Sequence, residues 1–407
     1  MFLFLASPAG AAGGFVIVAV GYRLSGANVP VARTAALLSF FFLVQGVRWL
    51  WAPLVDATLT RVRWYLMGWA LSIGGIAGMS AVTPSGRTLA LLALLVVSTS
   101  VGAATMSTAI EGLVATRLPP ALKGRAGGWE WAGINAGQVA GGGGGLWLLQ
   151  HVSSGLTVGL LLGVMSLICT LPLRRMSAVP EFADAHQAIF SLSGRVVDTL
   201  RDLIGVARSS AGAIALAACL LPLGAGAANS LWATVAPDWH ATADTVALVT
   251  GGLGPLLAAA GCAAGGWASD VFGARRGYVV AGAALAGVAL VMAAVPRVPV
   301  VYVGFTLLYQ FAFGAGTGTL AGLIFATIGR GAASTKCAAF FGFMSVPSWY
   351  MTLADGWAHD RFGPDGMLAV DALAGLGGLI VLVAVARVLG TRLLGLTSPA
   401  GSVDTTG

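Results

Sequence analysis

The chain has 407 residues, of which 57% are hydrophobic and only 9% are charged. Soluble globular proteins carry about 25% charged residues, so a water-soluble fold of this composition could not cover its surface with charge. Most of the surface is therefore predicted to face lipid. The net charge of +7 does not indicate nucleic-acid binding, because the basic residues occur singly or in pairs between apolar segments.

Apolar segments of about 20 residues, the length that crosses a bilayer, recur along the whole chain. They predict an all-α membrane protein with twelve transmembrane helices in two pseudo-symmetric six-helix bundles. We interpret the N-terminal segment as the first span, not as a cleaved signal peptide. The predicted spans are 4–22, 34–55, 64–83, 88–112, 126–149, 153–173, 209–235, 244–268, 277–295, 299–328, 335–354 and 366–389.

The distribution of Lys and Arg predicts the orientation in the membrane. With a cytoplasmic N-terminus, 16 of these residues lie inside and five outside, and Arg48 falls within a span. Both termini are therefore predicted to be cytoplasmic, in a bacterial inner membrane. The predicted domains are an N-terminal bundle (1–175), a cytoplasmic linker (176–208), a C-terminal bundle (209–392) and a disordered tail (393–407).

A polar hinge joins the second span of each half to the third. In both copies an Asp precedes an Arg by five residues, and such a repeat is typical of a two-fold repeated transporter. The hinge residues that we single out are Asp56 and Arg61 in the first half, and Gly266, Asp270, Gly273, Arg275 and Arg276 in the second.

Glycine is abundant, and in the fifth span it recurs at every fourth position. Gly133, Gly137 and Gly141 lead into the run Gly142–Gly145. In lipid, small residues at this spacing predict close contact between helix backbones. The same surface could also serve as a sliding contact when two bundles rock.

The hinge pattern Gly266-x3-Asp270-x2-Gly273-x-Arg275-Arg276 resembles the signature loop of the major facilitator superfamily. Within it, Arg48-Trp49-Leu50-Trp51-Ala52-Pro53-Leu54-Val55-Asp56 is similar to a stretch of the muropeptide permease and acetyl-CoA transporter group, which includes compact siderophore permeases. Arg48 stands where Lys is usual, and Glu111 where Asp is common. The resemblance implies secondary transport by alternating access, with the hinge residues latching the cytoplasmic side through charge pairs.

Arg48 lies eight residues before Asp56, which places it about 12 Å deeper in the membrane. Charges at such depth cost about 2.5–3.5 kcal/mol and call for a partner or a function. The guanidinium could anchor an anionic group of a substrate, or it could form a structural ion pair with Glu111 or Glu130. The residues alone leave both interpretations open.

The two carboxyl groups are also ambiguous. Glu111 could couple transport to protons, since a carboxyl group in an apolar bundle can titrate near neutral pH. It could equally pair with Arg117 or Arg125 at the membrane edge. Glu130, flanked by two tryptophans, is a candidate for the substrate cavity or for proton binding.

Uncharged polar side chains within spans are further candidates for the cavity wall, although any of them could simply bond a neighbouring helix. They are Gln45, Asn135, Gln138, Asn229 and Gln310.

Other functional classes are weakly supported. The histidines, His359 among them, fall in predicted loops, and no carboxylate pair falls within a predicted span, which argues against a membrane-embedded transferase. The absence of a phosphate-binding loop argues against an ATP-driven pump, and a receptor on a transporter fold is a third alternative. Gly137-Gln138 stands where drug antiporters usually have Gly-Pro, which favours import.

We therefore expect a proton-coupled symporter, a permease for a mid-sized polar or anionic solute such as a ferric siderophore. The alternatives are a muropeptide or acyl-CoA permease, or an efflux antiporter for drugs or metabolites. The expected partners are the solute, H⁺ and the lipid bilayer. We expect a monomer, without cofactor, metal or nucleic acid.

Overall fold

The computed structural model describes residues 1–117, 120–175, 201, 204–205, 208–223, 226–328 and 339–389. Most of the predicted linker (176–208) and all of the predicted tail (393–407) lie outside these residues. The boundaries predicted for the two bundles, the linker and the tail therefore stay predictions.

The N-terminal half consists of six helical segments, and a short helix, Ala52–Ala57, follows the second of them. A π-helical turn interrupts the first and the fifth. The segments are α1 (Phe2–Gly26), α2 (Val31–Leu50), α3 (Arg61–Ala81), α4 (Leu89–Arg117), α5 (120–151) and α6 (Gly155–Arg174).

The C-terminal half also consists of six helical segments. Its last two segments are separated only by Gly363, whose backbone has φ 74° and ψ −172°. The segments are α7 (210–239), α8 (Ala243–Phe272), α9 (Ala274–Ala294), α10 (Pro299–Ile328), α11 (339–362) and α12 (364–388).

Within the described residues, eight helices are long and apolar enough to cross a membrane, and α11 and α12 count as one of them. The other three segments are α3 and α5, which are richer in Gly, Trp and polar residues, and α7, which is broken. Together the segments form the predicted all-α membrane fold of twelve transmembrane helices, which is confirmed.

The helices pack in the same pattern within each half. α3 packs on α4 as α9 packs on α10, and α2 packs on α4 as α8 packs on α10. Between the halves, α2 contacts α11 and α5 contacts α8. One end of the molecule carries the connections 27–30, 240–242 and 295–298 and the bend at Gly363. We call it the outer end, because the predicted orientation places it outside the cell.

Glycines bring helix backbones into direct contact, as predicted for α5. A Cβ on Gly137 would lie 2.0 Å from the Ser7 carbonyl oxygen of α1. In the C-terminal half, a Cβ on Gly261 of α8 would lie 2.1 Å from the Phe311 carbonyl oxygen of α10. Both distances are too short for any side chain, so only glycine permits these contacts.

The seventh span differs from its prediction as one helix over 209–235. Its first helix, Ser210–Leu220, ends before Pro222, and Gly226 takes the left-handed conformation with φ 59°. Short helical turns then run from Ala227 to Trp239. Pro lacks an N–H donor and Gly gains conformational freedom, so this stretch breaks the helix.

Candidate functional site

A cavity lies between the two halves of the molecule. Helices α1, α2 and α5 line it from the N-terminal half, and α7, α8, α10 and α11 from the C-terminal half. It comprises about 920 Å³ of empty space, part of which is open to solvent.

Four of the five predicted amide side chains line this cavity: Asn135 and Gln138 on α5, Asn229 on α7 and Gln310 on α10. The Gln310 Nε2 group donates a hydrogen bond to Asn229 Oδ1, and Asn135 Nδ2 donates to the Trp131 carbonyl oxygen at 2.9 Å. The lining residues of the described chain carry no charge. The amides therefore offer hydrogen bonds from both halves to one shared cavity.

Gln45 does not belong to this lining, although Phe42 on the same helix does. Gln45 is half-buried, and its carbonyl oxygen lies beside Gly342 of α11. Its place is therefore the contact between α2 and α11.

A layer of aromatic rings closes the cavity at the outer end. The rings of Trp232 and Trp239 are 6.3 Å apart, and Trp239 and Tyr302 are 6.4 Å apart. All three side chains are fully buried. Tyr302 hydrogen-bonds at 2.7 Å to Thr250, which itself lines the cavity, so the layer lies directly above the cavity.

Arg48 forms an ion pair with Glu111 at 2.7 Å, one of the two arrangements that the sequence left open. The side chains are 11% and 29% exposed, respectively. Glu130 is buried beside the pair and interacts electrostatically with both residues. Its neighbours Trp129 and Trp131 are exposed, so Glu130 faces the charged pair while the rings face away. None of these three charged residues lines the cavity.

The first hinge lies next to this cluster. Arg61, at the start of α3, lies across Gly112 of α4, where an added Cβ would be 2.4 Å from the Arg61 Nε atom. Asp56 lies in the short helix Ala52–Ala57, and its side chain lies outside the description. The Arg61 side chain therefore reaches the residue that directly follows the ion-paired Glu111.

The second hinge turns sharply between α8 and α9. Gly273 ends α8 with φ 89°, a value that favours glycine, and Gly266 has open space around it. Asp270 is exposed, and Arg275 and Arg276 are half-buried at the start of α9. Within the described part of the chain these three charged side chains form no salt bridge. The latching role implied by the resemblance stays a prediction.

The C-terminal half brings together two carboxyl groups from different spans, a pair that the sequence analysis does not include. Asp371 on α12 accepts a hydrogen bond of 2.6 Å from the Tyr309 hydroxyl on α10. Asp355 on α11 is fully buried and interacts electrostatically with Asp371. Within the described residues neither oxygen of Asp355 has a hydrogen-bond partner.

The eleventh span extends further than its prediction, and both Asp355 and His359 lie in the additional part. The predicted span ends at residue 354, which leaves Asp355, His359 and Asp360 in a predicted loop. The structure continues α11 through these residues to the bend at Gly363, so His359 lies in a helix and not in a loop. Gly363-Pro364 is a turn signal that could have placed the helix end correctly.

Comparison with solved structures gives matches over nearly the whole chain. A bacterial homologue of the human lysosomal transporter Spinster, inward-facing and unoccupied, is 14% identical, with 95% of this chain and 94% of that chain covered and a TM-score of 0.66. A D-xylose-proton symporter is 13% identical, covering 94% and 95%, with a TM-score of 0.68. A point mutant of the nucleoside transporter NupG is 10% identical, covering 94% and 98%, with a TM-score of 0.65.

The chain has the fold of major facilitator transporters. Neither the family models nor the curated proteins gave a match to the sequence. Identities of 10–14% show the fold alone, so the predicted muropeptide and acetyl-CoA subgroup remains a prediction. In the major facilitator fold the two halves are parallel repeats, and the interface between repeats is where transporters place their substrate sites. The cavity described above lies at that interface.

Proposed function

We propose that the protein is a secondary active transporter that imports a mid-sized polar solute together with protons. The single observation that carries the proposal is the cavity between the two halves, with amide side chains from both halves facing it. A solute that contacts both halves can be transferred when the halves rock against each other. The fold supports transport over catalysis, since the similar structures are those of transporters.

The cavity lining favours particular solutes. Asn and Gln side chains donate and accept hydrogen bonds but do not neutralise an anion. Arg48, which the sequence offered as an anion anchor, is already paired with Glu111. A ferric siderophore with many oxygen groups and little net charge therefore fits better than a highly charged acyl-CoA. A muropeptide and an efflux substrate are the remaining alternatives.

The proposed orientation has both termini in the cytoplasm of a bacterium, with the closed end of the cavity facing outward. Single cysteines at positions 63 and 276, reacted with an impermeant reagent, test it. Both should be labelled from the same side of the membrane. Labelling from opposite sides would contradict the two-fold repeat as well as the orientation.

Solute binding can be screened by thermal shift of the purified protein against ferric siderophores, muropeptides and acyl-CoA compounds. A ligand that binds only the folded state stabilises it, by about 2.7 kcal/mol at a hundredfold excess over Kd. We expect one class alone to raise the unfolding temperature. Uptake of that class into proteoliposomes should then depend on an imposed pH gradient, and gradient-independent uptake would contradict proton coupling.

The cavity itself is tested with a matched pair of variants. Gln310→Ala removes a buried amide that lines the cavity, whereas Gln150→Ala removes an exposed amide at the outer end of α5. We expect Gln310→Ala to weaken solute binding about tenfold, corresponding to one lost hydrogen bond of about 1.4 kcal/mol. Gln150→Ala should bind like the parent protein. Equal affinities for both variants would remove the cavity from the solute site.

A further inference from the structure

Asp355 and Asp371 lie at the same depth in the membrane. Each is eight residues from Gly363, the bend between α11 and α12. Eight helical residues span about 12 Å, so both carboxyl groups lie about 12 Å below the outer end. They interact electrostatically with each other. Two buried acidic side chains on adjacent helices thus lie close enough to influence each other's charge.

No cation neutralises this pair within the described residues, where neither carboxyl group forms a salt bridge. Arg297 is engaged with Asp365 at 2.6 Å, and Arg361 is exposed at the end of α11. Two adjacent carboxylates without a counter-charge are not stable in a buried environment. The pair therefore needs a bound cation.

The hydrogen bonds distinguish the two carboxyl groups. Asp371 receives the hydroxyl of Tyr309, and the backbone N–H groups of Ala227 and Ala228 are within hydrogen-bonding reach. Donors of this kind stabilise an ionised carboxylate. Asp355 receives no donor on either oxygen from the part of the chain that the structure describes. The added cation is therefore needed at Asp355.

A proton satisfies this requirement better than a metal ion. Sites for zinc and similar metals use several His, Cys, Asp or Glu side chains, and the described residues contain no group of three or more of these. A proton needs only one carboxyl oxygen. When it binds, the Asp355 carboxylate becomes a carboxylic acid, and the same O–H bond breaks when the proton leaves.

His359 on α11 lies between Asp355 and the outer end of the helix. His359 follows Asp355 by four residues, so the two lie on the same face of the helix, about 6 Å apart along its axis. The Nε2 atom of His359 lies 2.8 Å from an oxygen of Asp238, whose side chain is 33% exposed. Among the described residues, the Nδ1 atom of His359 has no hydrogen-bond partner, and it lies 3.8 Å from an oxygen of Asp360. The imidazole can therefore take a proton on one side and release it on the other.

The broken part of α7 connects this pair to the cavity. The turn Ala227–Ser230 approaches Asp371 through its first two residues. Its third residue, Asn229, lines the cavity and bonds Gln310, which is adjacent to Tyr309 in the chain. A change of charge at the carboxyl pair therefore reaches the cavity wall through one short turn.

We propose that Asp355 and Asp371 form a proton-binding site, filled from the outer end through His359 and coupled to the cavity through the turn Ala227–Ser230. Asp355 carries the proton and Asp371 stays ionised. Tyr309 on α10 faces the pair. His359 lies one helical turn from Asp355 on α11, with Asp238 and Asp360 around its ring. The role in transport rests on the proposed function, whereas proton binding does not.

Infrared spectroscopy of the full-length protein in lipid tests proton binding directly. The carbonyl stretch of a protonated carboxyl group should be present in the parent protein and lost in Asp355→Asn. The control is Asp365→Asn, which neutralises an exposed aspartate at the same end of the molecule. This variant should retain the band. An Asp355→Asn spectrum that equals that of the parent protein would overturn the proposal, whatever the protein transports.

Coupling is tested with a ferric siderophore as the probe and a pH-sensitive dye inside proteoliposomes. The parent protein should acidify the lumen during uptake, and Asp355→Asn should take up the siderophore without acidification. Acidification by the variant would exclude Asp355 as the coupling site. If the parent protein itself shows no uptake of any solute class, the proposed function fails, and the infrared result still decides whether the proton site exists.

Discussion

The two halves stabilise their membrane-embedded charges in different ways. In the N-terminal half, Arg48 and Glu111 neutralise each other at 2.7 Å, with Glu130 beside them. In the described part of the C-terminal half, Asp355 and Asp371 meet without a cation, and only Asp371 has a hydrogen-bond donor from a side chain. The difference teaches that the first cluster contains its own cation, whereas no cation accompanies the second within the described residues.

The packing of the halves, by contrast, is alike, and the largest expected effects test this likeness. Gly137→Ala in α5 and Gly261→Ala in α8 would each place a methyl group about 2 Å from a carbonyl oxygen of the facing helix. Overpacking against rigid backbone costs about 3 kcal/mol. We expect both variants to lose this much in the free energy of unfolding, measured by denaturation in mixed micelles.

The matched control is Gly266→Ala, since the space around Gly266 is open. A helical Gly→Ala change without a clash stabilises by about 0.5–1 kcal/mol. If Gly137→Ala were as stable as this control, α1 and α5 could not be packed as closely as described. A cost in one half alone would show that the packing, too, differs between the halves.

Arg48→Gln tests the neutralised cluster of the N-terminal half. The change removes the cation that is paired with Glu111 and leaves the carboxyl group of Glu130 beside it. Removing one partner of a buried pair costs about 3–5 kcal/mol, and the partial exposure of Glu111 reduces this to about 2 kcal/mol. Thermal unfolding of the purified variant measures the loss.

The double variant Arg48→Gln with Glu111→Gln separates charge from packing. It removes the ion pair as a unit, so we expect it to recover more than half of the stability that Arg48→Gln loses. A double variant less stable than Arg48→Gln would mean that Arg48 contributes through packing, not through its charge. The ion pair would then not be the feature that distinguishes the two halves.

The sequence predicted the fold because its main signals are local. Apolar stretches of sufficient length mark spans, and the Gly and Arg pattern of residues 266–276 marks the hinge between α8 and α9. The alternation of spans and hinges is independent of side-chain direction. The repeat of two six-helix halves therefore followed from the chain alone.

The site was predicted only in part, because the direction in which a side chain points depends on the rotation of its helix. Gln138 and Gln45 were equal candidates, yet only Gln138 lines the cavity. Arg48 lies too far along the chain from Glu111 for spacing to decide whether they meet. Asp371 lies within a predicted span, but its partner Asp355 lies beyond the predicted end of the eleventh span, so the sequence does not pair them. The local signal at Gly363-Pro364 could have corrected that assignment, whereas the contact with Tyr309 could not have been predicted from spacing.

Tyr309→Phe tests the hydrogen bond that holds Asp371 in the C-terminal half. The hydroxyl donates to a carboxylate at 2.6 Å, and such bonds contribute about 1.5–3 kcal/mol. We expect a loss of about 1.5 kcal/mol in unfolding free energy. Tyr350→Phe is the control, because its hydroxyl donates to a neutral carbonyl, that of Leu220, and should lose less than about 1 kcal/mol. Equal losses would indicate that Asp371 is not ionised.

The smallest expected effect is that of Asp355→Asn on stability, and it gives the most direct contrast with Arg48→Gln. Both changes remove an ionisable group within a span. A carboxylic acid and a carboxamide have nearly the same size, so the substitution mimics the proton-bound site and should change the unfolding free energy by less than about 0.5 kcal/mol. Thermal unfolding of the two variants, side by side in one lipid, makes the comparison. A loss at Asp355→Asn as large as that at Arg48→Gln would mean that Asp355 is ionised and paired with a cation. The contrast between the two halves would then disappear.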